Sequence, residues 1–315
     1  MSEMRTTLAS QPAELRRLLS DASAVEDAAE RVRGRRILLV GTGTSWHAAN
    51  VGAWFLRAGG VDAWAVQAAD AALHGPRPGP EDGLVLLSHR GTKRYTNAVL
   101  ERARADGVPT VAIGARGAPG VDVATVEPER SAAFTASHTG AMLRLAQLAR
   151  ALGADLGPLE VVPDTVAAAL EGPGPEIEPP RRLLELVGAG PNQWTAAEGA
   201  LKIRETAYVA SEGLSVEQYL HGPSVALGEH DALVCLNGGG AGEERLLAVA
   251  ASAERCRVPV HTITAAFPNE LLSVFPLTVA VQRIALEAAE RLGTNPDSFG
   301  RDVPSRAGAM DGIDL

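Results

Sequence analysis

The chain has few cysteines, few aromatic residues and almost no lysine. Only two of its 29 basic residues are lysines, and aromatic side chains make up 4% of its 315 residues. Its two cysteines, Cys235 and Cys256, are too few for a disulfide framework and lack metal-ligand spacing. These shortages exclude a disulfide-stapled secreted domain and a cysteine-based zinc site, and they fit a reducing cytoplasm.

Basic patches and long apolar runs are also missing. The net charge is −9, and since contacts to nucleic-acid phosphates need a basic patch, we expect no nucleic-acid partner. No stretch approaches the roughly eighteen apolar residues of a membrane span. The first residues, which include Glu3, Arg5 and Glu14, are unlike a secretory signal. The sequence therefore predicts a cytoplasmic protein with no membrane contact.

What the chain does have is internal repetition. Residues 35–43 read Arg-Arg-Ile-Leu-Leu-Val-Gly-Thr-Gly, and residues 181–190 read Arg-Arg-Leu-Leu-Glu-Leu-Val-Gly-Ala-Gly. Each copy predicts a buried strand, a glycine turn and a helix, and the proline-rich stretch between the copies predicts a linker. The expected divisions are a helical lead-in (1–28), a first domain (29–155), a linker (156–180), a second domain (181–292) and a C-terminal tail (293–315).

Strands and helices alternate in both halves, which predicts an α/β fold with parallel sheets covered by helices on both faces. The apolar runs that predict strands are 37–40, 61–66, 84–87, 110–113 and 121–126 in the first half, and 183–187, 232–236, 260–264 and 277–281 in the second. The stretches that predict helices are 45–58, 95–105, 195–209, 242–255 and 281–292.

One of the two lysines, Lys202, lies between two glutamates on a predicted helix. Glu198, Lys202 and Glu205 stand at i, i+4 and i+7, within about 60° of one another on one helix face. A solvated Glu-Lys pair at this spacing is common and stabilises a helix by only a few tenths of a kcal/mol. The surrounding residues are small or apolar, however, and the helix follows a strand and a glycine turn, where α/β proteins place ligands. We therefore expect this charged face to line a crevice.

A glycine turn in the first half suits a compact anion. Gly43, Thr44 and Ser45 stand between a strand and a helix, where hydroxyls at a helix N-terminus can bind a phosphate monoester. Ser45 could equally be an ordinary N-cap residue. The third glycine of a dinucleotide fingerprint is replaced here by Trp46, so no nucleotide cofactor is expected.

A second loop, at the end of the next central strand, is basic. It reads Ser88-His89-Arg90-Gly91-Thr92-Lys93-Arg94 and leads into a predicted helix. Such a loop can be a solvated surface, but its place at the carboxyl end of a parallel strand favours an anion site. Arginine binds phosphate or carboxylate in a bidentate manner. Ser88, His89, Arg90 and Lys93 are therefore candidate binding residues.

At these positions the sequence resembles the sugar isomerase (SIS) domain family. It is similar to the isomerase domain of glucosamine-6-phosphate synthase and to stand-alone aminosugar-phosphate deaminases and isomerases. Residues 198–205 match the family motif Glu-Gly-Ala-Leu-Lys-x-x-Glu, and residues 221–223 supply its His-Gly-Pro. Gly43-Thr44-Ser45 matches the first phosphate-side turn, and Ser88 opens the second. The resemblance runs from about residue 31 to 297 and implies two tandem SIS domains.

The resemblance also implies roles for the matching residues. Glu205 would move a proton between C1 and C2 of an open-chain sugar phosphate. Lys202 and Glu198 would hold the sugar hydroxyls and the developing enediol charge. His221 would assist ring opening from the partner subunit of a homodimer. No metal-ligand spacing appears among the histidines, so neither a metal nor another cofactor is expected.

Three departures from the synthase pattern change the expected reaction. No glutaminase domain or N-terminal cysteine nucleophile is present in the sequence. The family's Ser-Gln-Ser-Gly-Glu-Thr loop is replaced by residues 88–93, and the tail contains Arg301 but no lysine to form an imine with a keto sugar. Arginine cannot replace that lysine, because it stays protonated. Synthase chemistry is therefore not expected.

The leading hypothesis is a phosphosugar isomerase or deaminase that acts on an aminosugar phosphate resembling glucosamine-6-phosphate. Deamination is favoured because, without ammonia delivery, the reverse of amination is the natural direction. Three alternatives stay open. The chain could be a deglycase that cleaves a sugar phosphate from an amino acid, a simple aldose–ketose isomerase, or a non-catalytic sugar-phosphate sensor.

Overall fold

The computed structural model describes residues 1–174, 176–265, 267, 269–309 and 311–313. These residues form two compact units. The N-terminal unit comprises Ser10–Glu129, Ala136–Pro163 and residues 311–313. The C-terminal unit comprises Met1–Ala9, Arg130–Thr135 and residues 164–309. Neither unit is a single continuous segment of the chain.

The N-terminal unit contains a five-stranded parallel sheet. Its strands are β1 (Arg36–Gly41), β2 (Ala63–Gln67), β3 (Asp82–Leu87), β4 (Thr110–Gly114) and β5 (Val123–Ala124), in the spatial order β2-β1-β3-β4-β5. The helices, in chain order, are α1 (Glu3–Leu19), of which residues 3–9 belong to the C-terminal unit, α2 (Ser23–Val32), α3 (Thr44–Ala58), α4 (Ala68–Leu73), α5 (Arg94–Ala105) and α6 (Ala136–Ala151). The predicted α/β class is confirmed here.

The C-terminal unit contains a four-stranded parallel sheet in the order β7-β6-β8-β9. The relative order equals that of the first four strands of the other sheet, so the repeated motifs at 35–43 and 181–190 form the equivalent strands β1 and β6. The elements are α7 (Val162–Glu171), β6 (Leu184–Gly188), α8 (Asn192–Thr206), β7 (Ser211–Ser215), α9 (Val216–Leu220), β8 (Ala232–Asn237), α10 (Glu243–Arg255), β9 (Val260–Thr264) and α11 (Val274–Leu292).

Two expectations about individual elements were wrong. Residues 277–281 were expected as a strand but lie within α11, because a short apolar run is compatible with either a buried strand or a buried helix. Strand β7 was not expected, because its sequence, Ser-Glu-Gly-Leu-Ser, has no apolar run. In the described sheet it is an edge strand that pairs with β6. The segment expected to connect the two domains, residues 156–180, contains a short 3₁₀ turn and helix α7.

Helix α11 is more apolar than the sequence pattern indicated. Within the described residues, the stretch Glu270–Leu292 is long and apolar enough to cross a membrane, whereas no such stretch was expected. Most of it, 83% of the apolar window, is buried, and it packs on α8. A helix with a long, mostly buried apolar stretch of this kind is typical of a domain core.

Helix α8 packs closely against its neighbours because of two glycines. A Cβ at Gly199 of α8 would lie 2.7 Å from a methyl of Leu186 and 2.8 Å from Cβ of Val281. A Cβ at Gly213 of β7 would lie 2.2 Å from the carbonyl oxygen of Ala196. Because real Cβ atoms do not approach this closely, both positions require glycine. The two glycines thus fix α8, with its charged residues, against the sheet and α11.

A buried carboxyl group lies in the same sheet. Glu185 of β6 is 1% exposed, and within the described part of the chain its Oε1 accepts no hydrogen bond. It stands opposite Glu212 of β7 in the register of the two strands. Burial, together with the nearby negative charges of Glu212 and Asp231, raises the pKa of Glu185 to about 7.

This carboxyl should make the stability of the protein depend on pH. In the unfolded chain Glu185 loses its proton near pH 4.5, whereas in the folded chain it keeps the proton up to about pH 7. Folding therefore becomes less favourable as pH rises through that window, by on the order of 2 kcal/mol. In Glu185→Gln this loss should disappear, as measured by denaturant unfolding at pH 5 and pH 8. An identical pH difference in the wild type and the variant would contradict the assignment.

Candidate active site

Helix α8 brings the three predicted charged residues together inside the C-terminal unit. The Nζ atom of Lys202 lies 3.5 Å from Oε1 of Glu198 and donates a hydrogen bond to Oε2 of Glu205. The hydroxyl of Thr206 donates to the Lys202 carbonyl oxygen at 2.8 Å and to the Ala285 carbonyl oxygen at 3.1 Å. Thr206 thereby ties the last turn of α8 to α11. We call Glu198, Lys202 and Glu205 the α8 triad.

The α8 triad is buried, unlike an ordinary surface ion pair. The side chains of Glu198 and Lys202 are 0% and 1% exposed, whereas that of Glu205 is 13% exposed. Taking charged groups out of water costs several kcal/mol each, and only close opposite charges and hydrogen bonds offset that penalty. The solvated-helix interpretation of the Glu-Lys spacing is therefore wrong. Glu205 is the member of the triad that a ligand can reach.

His221 follows the short helix α9 and points into solvent. Its side chain is 77% exposed, and its Nε2 lies 3.5 Å from a carboxylate oxygen of Glu217. The Arg245 guanidinium, which donates to Glu217, holds the pKa of that carboxyl below its usual range. Gly222 next to His221 has φ 148°, a conformation that favours glycine. Within the described residues of one chain, the polar partner of His221 is Glu217 and not the α8 triad.

In the N-terminal unit, the topology brings the two predicted anion loops together. Strands β1 and β3 are neighbours, and their connections leave toward opposite sides of the sheet, which creates a crevice at their carboxyl ends. The turn that includes Gly43, Thr44 and Ser45 follows β1, and the loop from Ser88 to Lys93 follows β3. We call this place the β1–β3 crevice.

The turn after β1 places the start of α3 close to the strand. A Cβ at Gly41 would lie 2.6 Å from backbone atoms of Ser45, so only glycine fits there. Helix α3 begins at Thr44, its N-cap is Gly43 with φ 55°, and no side chain caps it. Ser45 therefore lies in the first turn of the helix and is not the N-cap. Its backbone N–H and that of Trp46 bond to the carbonyl oxygens of Thr42 and Gly43.

The side chains of the loop after β3 differ in their exposure and in their hydrogen-bond partners. Ser88 is 8% exposed, and its Oγ has no hydrogen-bond partner among the described residues. His89 accepts a hydrogen bond at Nε2 from the Glu129 backbone N–H at 3.0 Å, and Arg90 donates to the Glu129 carbonyl oxygen at 3.2 Å. Lys93 is exposed at the N-cap of α5. Because a buried hydroxyl without a partner is unfavourable, Ser88 is the residue of this loop best placed to meet a ligand.

His89 and Arg90 instead hold the segment before α6. The Glu129 carboxylate accepts a hydrogen bond from the Ser137 backbone N–H at 2.7 Å, so Glu129 joins the β3 loop to the start of α6. Burial lowers the pKa of His89, and the adjacent Arg90 lowers it further, while Glu129 acts in the opposite direction. Sequence reasoning did not identify Glu129, because an isolated glutamate in a loop gives no signal of its partners.

The equivalent crevice of the C-terminal unit, between β6 and β8, is filled by its own side chains. The Asn192 amide donates to Oγ of Ser273 at 2.9 Å beside Gly238. The Glu270 carboxylate accepts the Ala241 backbone N–H, and burial raises the pKa of Glu270. A Cβ at Gly240 would lie 2.0 Å from a Glu270 carboxylate oxygen, so this carboxylate lies directly against the glycine-rich loop. The two crevices are therefore equivalent in topology but differ in what occupies them.

The histidines, cysteines and carboxylates give no sign of a metal centre. Among the described residues no group of three such side chains is arranged to hold a metal ion. Cys235 is buried, burial raises the pKa of its thiol to about 12, and Cys256 is exposed. Such a thiol stays protonated and is a poor nucleophile.

Comparison with known proteins finds similarity to proteins that contain the SIS domain. The sequence profile of the SIS domain matches residues 32–151. A curated relative, the isomerizing glutamine–fructose-6-phosphate aminotransferase of Pyrococcus horikoshii, is 27% identical over 299 residues. That alignment covers 83% of this chain and 50% of the relative. The chain thus spans about half the length of the curated relatives that it matches.

Solved structures show the same fold. The backbone is similar to that of tagatose-6-phosphate ketose/aldose isomerase from Escherichia coli, with a TM-score of 0.79, 20% identity and 95% of each chain covered. It is also similar to glucosamine-6-phosphate deaminase from Thermotoga maritima, with a TM-score of 0.78, 19% identity and coverage of 94% of this chain and 97% of that chain. The fold is therefore that of SIS-type phosphosugar isomerases.

Proposed function

We propose, starting from the SIS domain at residues 32–151, that this chain is an enzyme that deaminates an aminosugar phosphate to the corresponding ketose phosphate. The observation that carries the proposal is the buried α8 triad. Its accessible carboxylate, Glu205, lies beside a fixed cation, Lys202. Aldose–ketose proton transfer needs such a carboxylate as base and a cation near the oxygen that becomes negative.

The proton-transfer steps of the proposed reaction have side chains to support them. Glu205 takes the proton from C2 of the open-chain aldose and returns it to C1. Lys202 stabilises the negative O1 of the enolate intermediate, and O1 takes up the proton that the substrate ammonium group loses as the imine forms. The product is an imine at C2. Addition of water to that imine and loss of ammonia give the ketose phosphate, so atoms and charge balance without a redox partner. Glu198 keeps Lys202 charged and in place.

The β1–β3 crevice is the proposed phosphate site. Its support is the buried hydroxyl of Ser88 together with the N-terminus of α3, since a helix N-terminus favours an anion. We further propose that the C-terminal unit is a second SIS domain, as its strand order suggests. Its own crevice is occupied by Glu270, Ser273 and Asn192, which supports a single site for the substrate phosphate in each chain.

His221 is proposed to act in the site of a partner subunit. Its support is the exposed imidazole, which contacts only Glu217 in its own chain among the described residues. A histidine in this position can open the sugar ring by moving a proton between the ring oxygen and O1. The active unit is thus proposed to be a homodimer with shared sites.

The leaving amine is proposed to be ammonia and not an amino acid. An amino-acid adduct carries an extra carboxylate, which the sequence suggested would meet Arg90 and Lys93. Arg90 already donates to the Glu129 carbonyl oxygen, which weighs against the deglycase alternative.

The test is to incubate the protein with glucosamine-6-phosphate in deuterated water and follow two products. Ammonia release should accompany incorporation of deuterium at C1 of fructose-6-phosphate, detected by NMR. Deuterium incorporation without release of ammonia would exclude deamination and leave isomerisation as the activity. Binding of glucosamine-6-phosphate and fructose-6-phosphate with no exchange in either would overturn an enzymatic function and leave the sugar-phosphate sensor.

A further inference from the structure

A second polar cleft lies in the C-terminal unit, at the opposite edge of the sheet from its glycine turns. Its volume is about 460 Å³, and it lies next to the amino ends of β6 and β7. None of the α8 triad lines it. Among the described residues its walls hold three arginines and no acidic residue, and they include Arg181, Arg182, Arg306, Tyr208 and Thr294.

The three arginines differ in how they are held. Arg182 is fixed by hydrogen bonds to the Asp231 carboxylate and the Ala226 carbonyl oxygen. Arg306 lies over the ring of Tyr208, with its guanidinium carbon 4.5 Å from the ring centre, and has no carboxylate partner among the described residues. Arg181 is exposed and likewise makes no ion pair within the described part of the chain. The net charge of the chain is −9, yet two arginines at this cleft have no carboxylate partner among the described residues. This arrangement favours binding of an anion.

Tyr208 gives the cleft a rigid wall. It has φ 58°, a left-handed conformation that is rare for a bulky aromatic residue and is retained where the surroundings demand it. Its hydroxyl lies 3.2 Å from Oγ of Ser298, which holds the ring in place. Arg306 above this ring is therefore oriented before any ligand arrives. Guanidinium groups held in this way bind phosphate oxygens in a bidentate manner.

We infer that this arginine cleft binds a small phosphorylated molecule at a site separate from that of the substrate. Its volume lies within the range of small-molecule sites. The cleft is also connected to the α8 triad. The hydroxyl of Thr294 in the cleft donates to the Thr206 carbonyl oxygen at 2.7 Å, and Thr206 in turn donates to the Lys202 carbonyl oxygen. A bound phosphate thus contacts a wall that is hydrogen-bonded to the helix that carries Glu205.

The inference is tested by calorimetric titration of the full chain with pyrophosphate at constant ionic strength. The double variant Arg181→Ala/Arg306→Ala should bind at least about tenfold more weakly than the wild type, since it loses two charge-assisted contacts. Arg255→Ala removes an exposed arginine at the end of α10 and serves as the matched control. Ser88→Ala, which alters the proposed substrate site, should leave this binding unchanged.

Three results would overturn the inference. The first is that the wild type does not bind pyrophosphate. The second is that the double variant binds pyrophosphate as tightly as the wild type. The third is that Ser88→Ala loses the binding while the double variant keeps it. The conservative variant Arg181→Lys/Arg306→Lys guards against a folding artefact, because it keeps the charges and should bind with intermediate affinity. Failure of the arginine cleft leaves the proposed reaction untouched, since that reaction is measured by ammonia release and deuterium exchange.

Discussion

Glu205→Gln should lower the rate of proton exchange between C1 and C2 of the sugar phosphate by roughly 10²- to 10⁴-fold. The amide cannot accept the proton, whereas the side chain keeps its size and its place beside Lys202. Because the β1–β3 crevice is unchanged, substrate affinity should stay close to that of the wild type. The loss should therefore fall on kcat and not on KM. Deuterium incorporation followed by NMR, with KM from initial rates, measures both quantities.

A matched control is available on the same unit. Glu244→Gln changes an exposed glutamate of α10 and should leave the exchange rate unchanged. If Glu205→Gln exchanges protons at the wild-type rate, Glu205 is not the base. A loss in Glu205→Gln accompanied by a comparable loss of folded protein would point to a structural role, so unfolding is measured on each variant.

The same variant also tests whether sites are shared between subunits. His221→Ala alone should be impaired in ring opening. When Glu205→Gln and His221→Ala subunits are mixed equally and allowed to exchange, half of the dimers are hybrids with one intact site. About a quarter of the wild-type activity should return. Hybrid dimers that stay inactive would place His221 and Glu205 in the site of the same chain, or His221 outside it.

The parts of the fold that could be predicted are those that depend on short patterns of apolar residues along the sequence. Strands β1, β3, β4, β6 and β8 were identified because buried parallel strands form compact apolar runs. Strand β7 escaped because an edge strand needs no apolar run, and the amino-terminal part of α11 was mistaken for a strand because burial on all sides hides helical periodicity. Both errors have the same cause. The pattern of apolar residues along an element depends on which of its faces are buried, and burial depends on the fold of the whole unit.

The candidate site could also be predicted only in part from the sequence. Spacing along one helix was enough to place Glu198, Lys202 and Glu205 on one face, but not to show that the face is buried. The direction of His89 and Arg90 toward Glu129 could not be predicted, because it depends on a loop forty residues further along the chain. The filling of the second crevice by Glu270 has a similar origin, in a contact with Gly240 thirty residues away.

Lys202→Met should be the most destabilising of the substitutions considered. Methionine has a similar length, but it leaves the carboxylates of Glu198 and Glu205 buried without their cation. Breaking a buried ion pair in this way costs about 3–5 kcal/mol, and the free energy of unfolding by denaturant measures it. The other lysine provides the control, since Lys93 is exposed and Lys93→Met should change stability by no more than about 0.5 kcal/mol.

A second substitution separates the charge from the packing. If the cost arises from unpaired carboxylates, Lys202→Met combined with Glu198→Gln should be more stable than Lys202→Met alone, because one uncompensated charge is gone. If the cost arises from lost packing, the two effects should simply add. A loss below about 1 kcal/mol in Lys202→Met would contradict the buried network itself. Rescue of stability without rescue of proton exchange would show that Lys202 serves two purposes, because it neutralises the carboxylates that hold α8 together and supplies the cation that the enol oxygen needs.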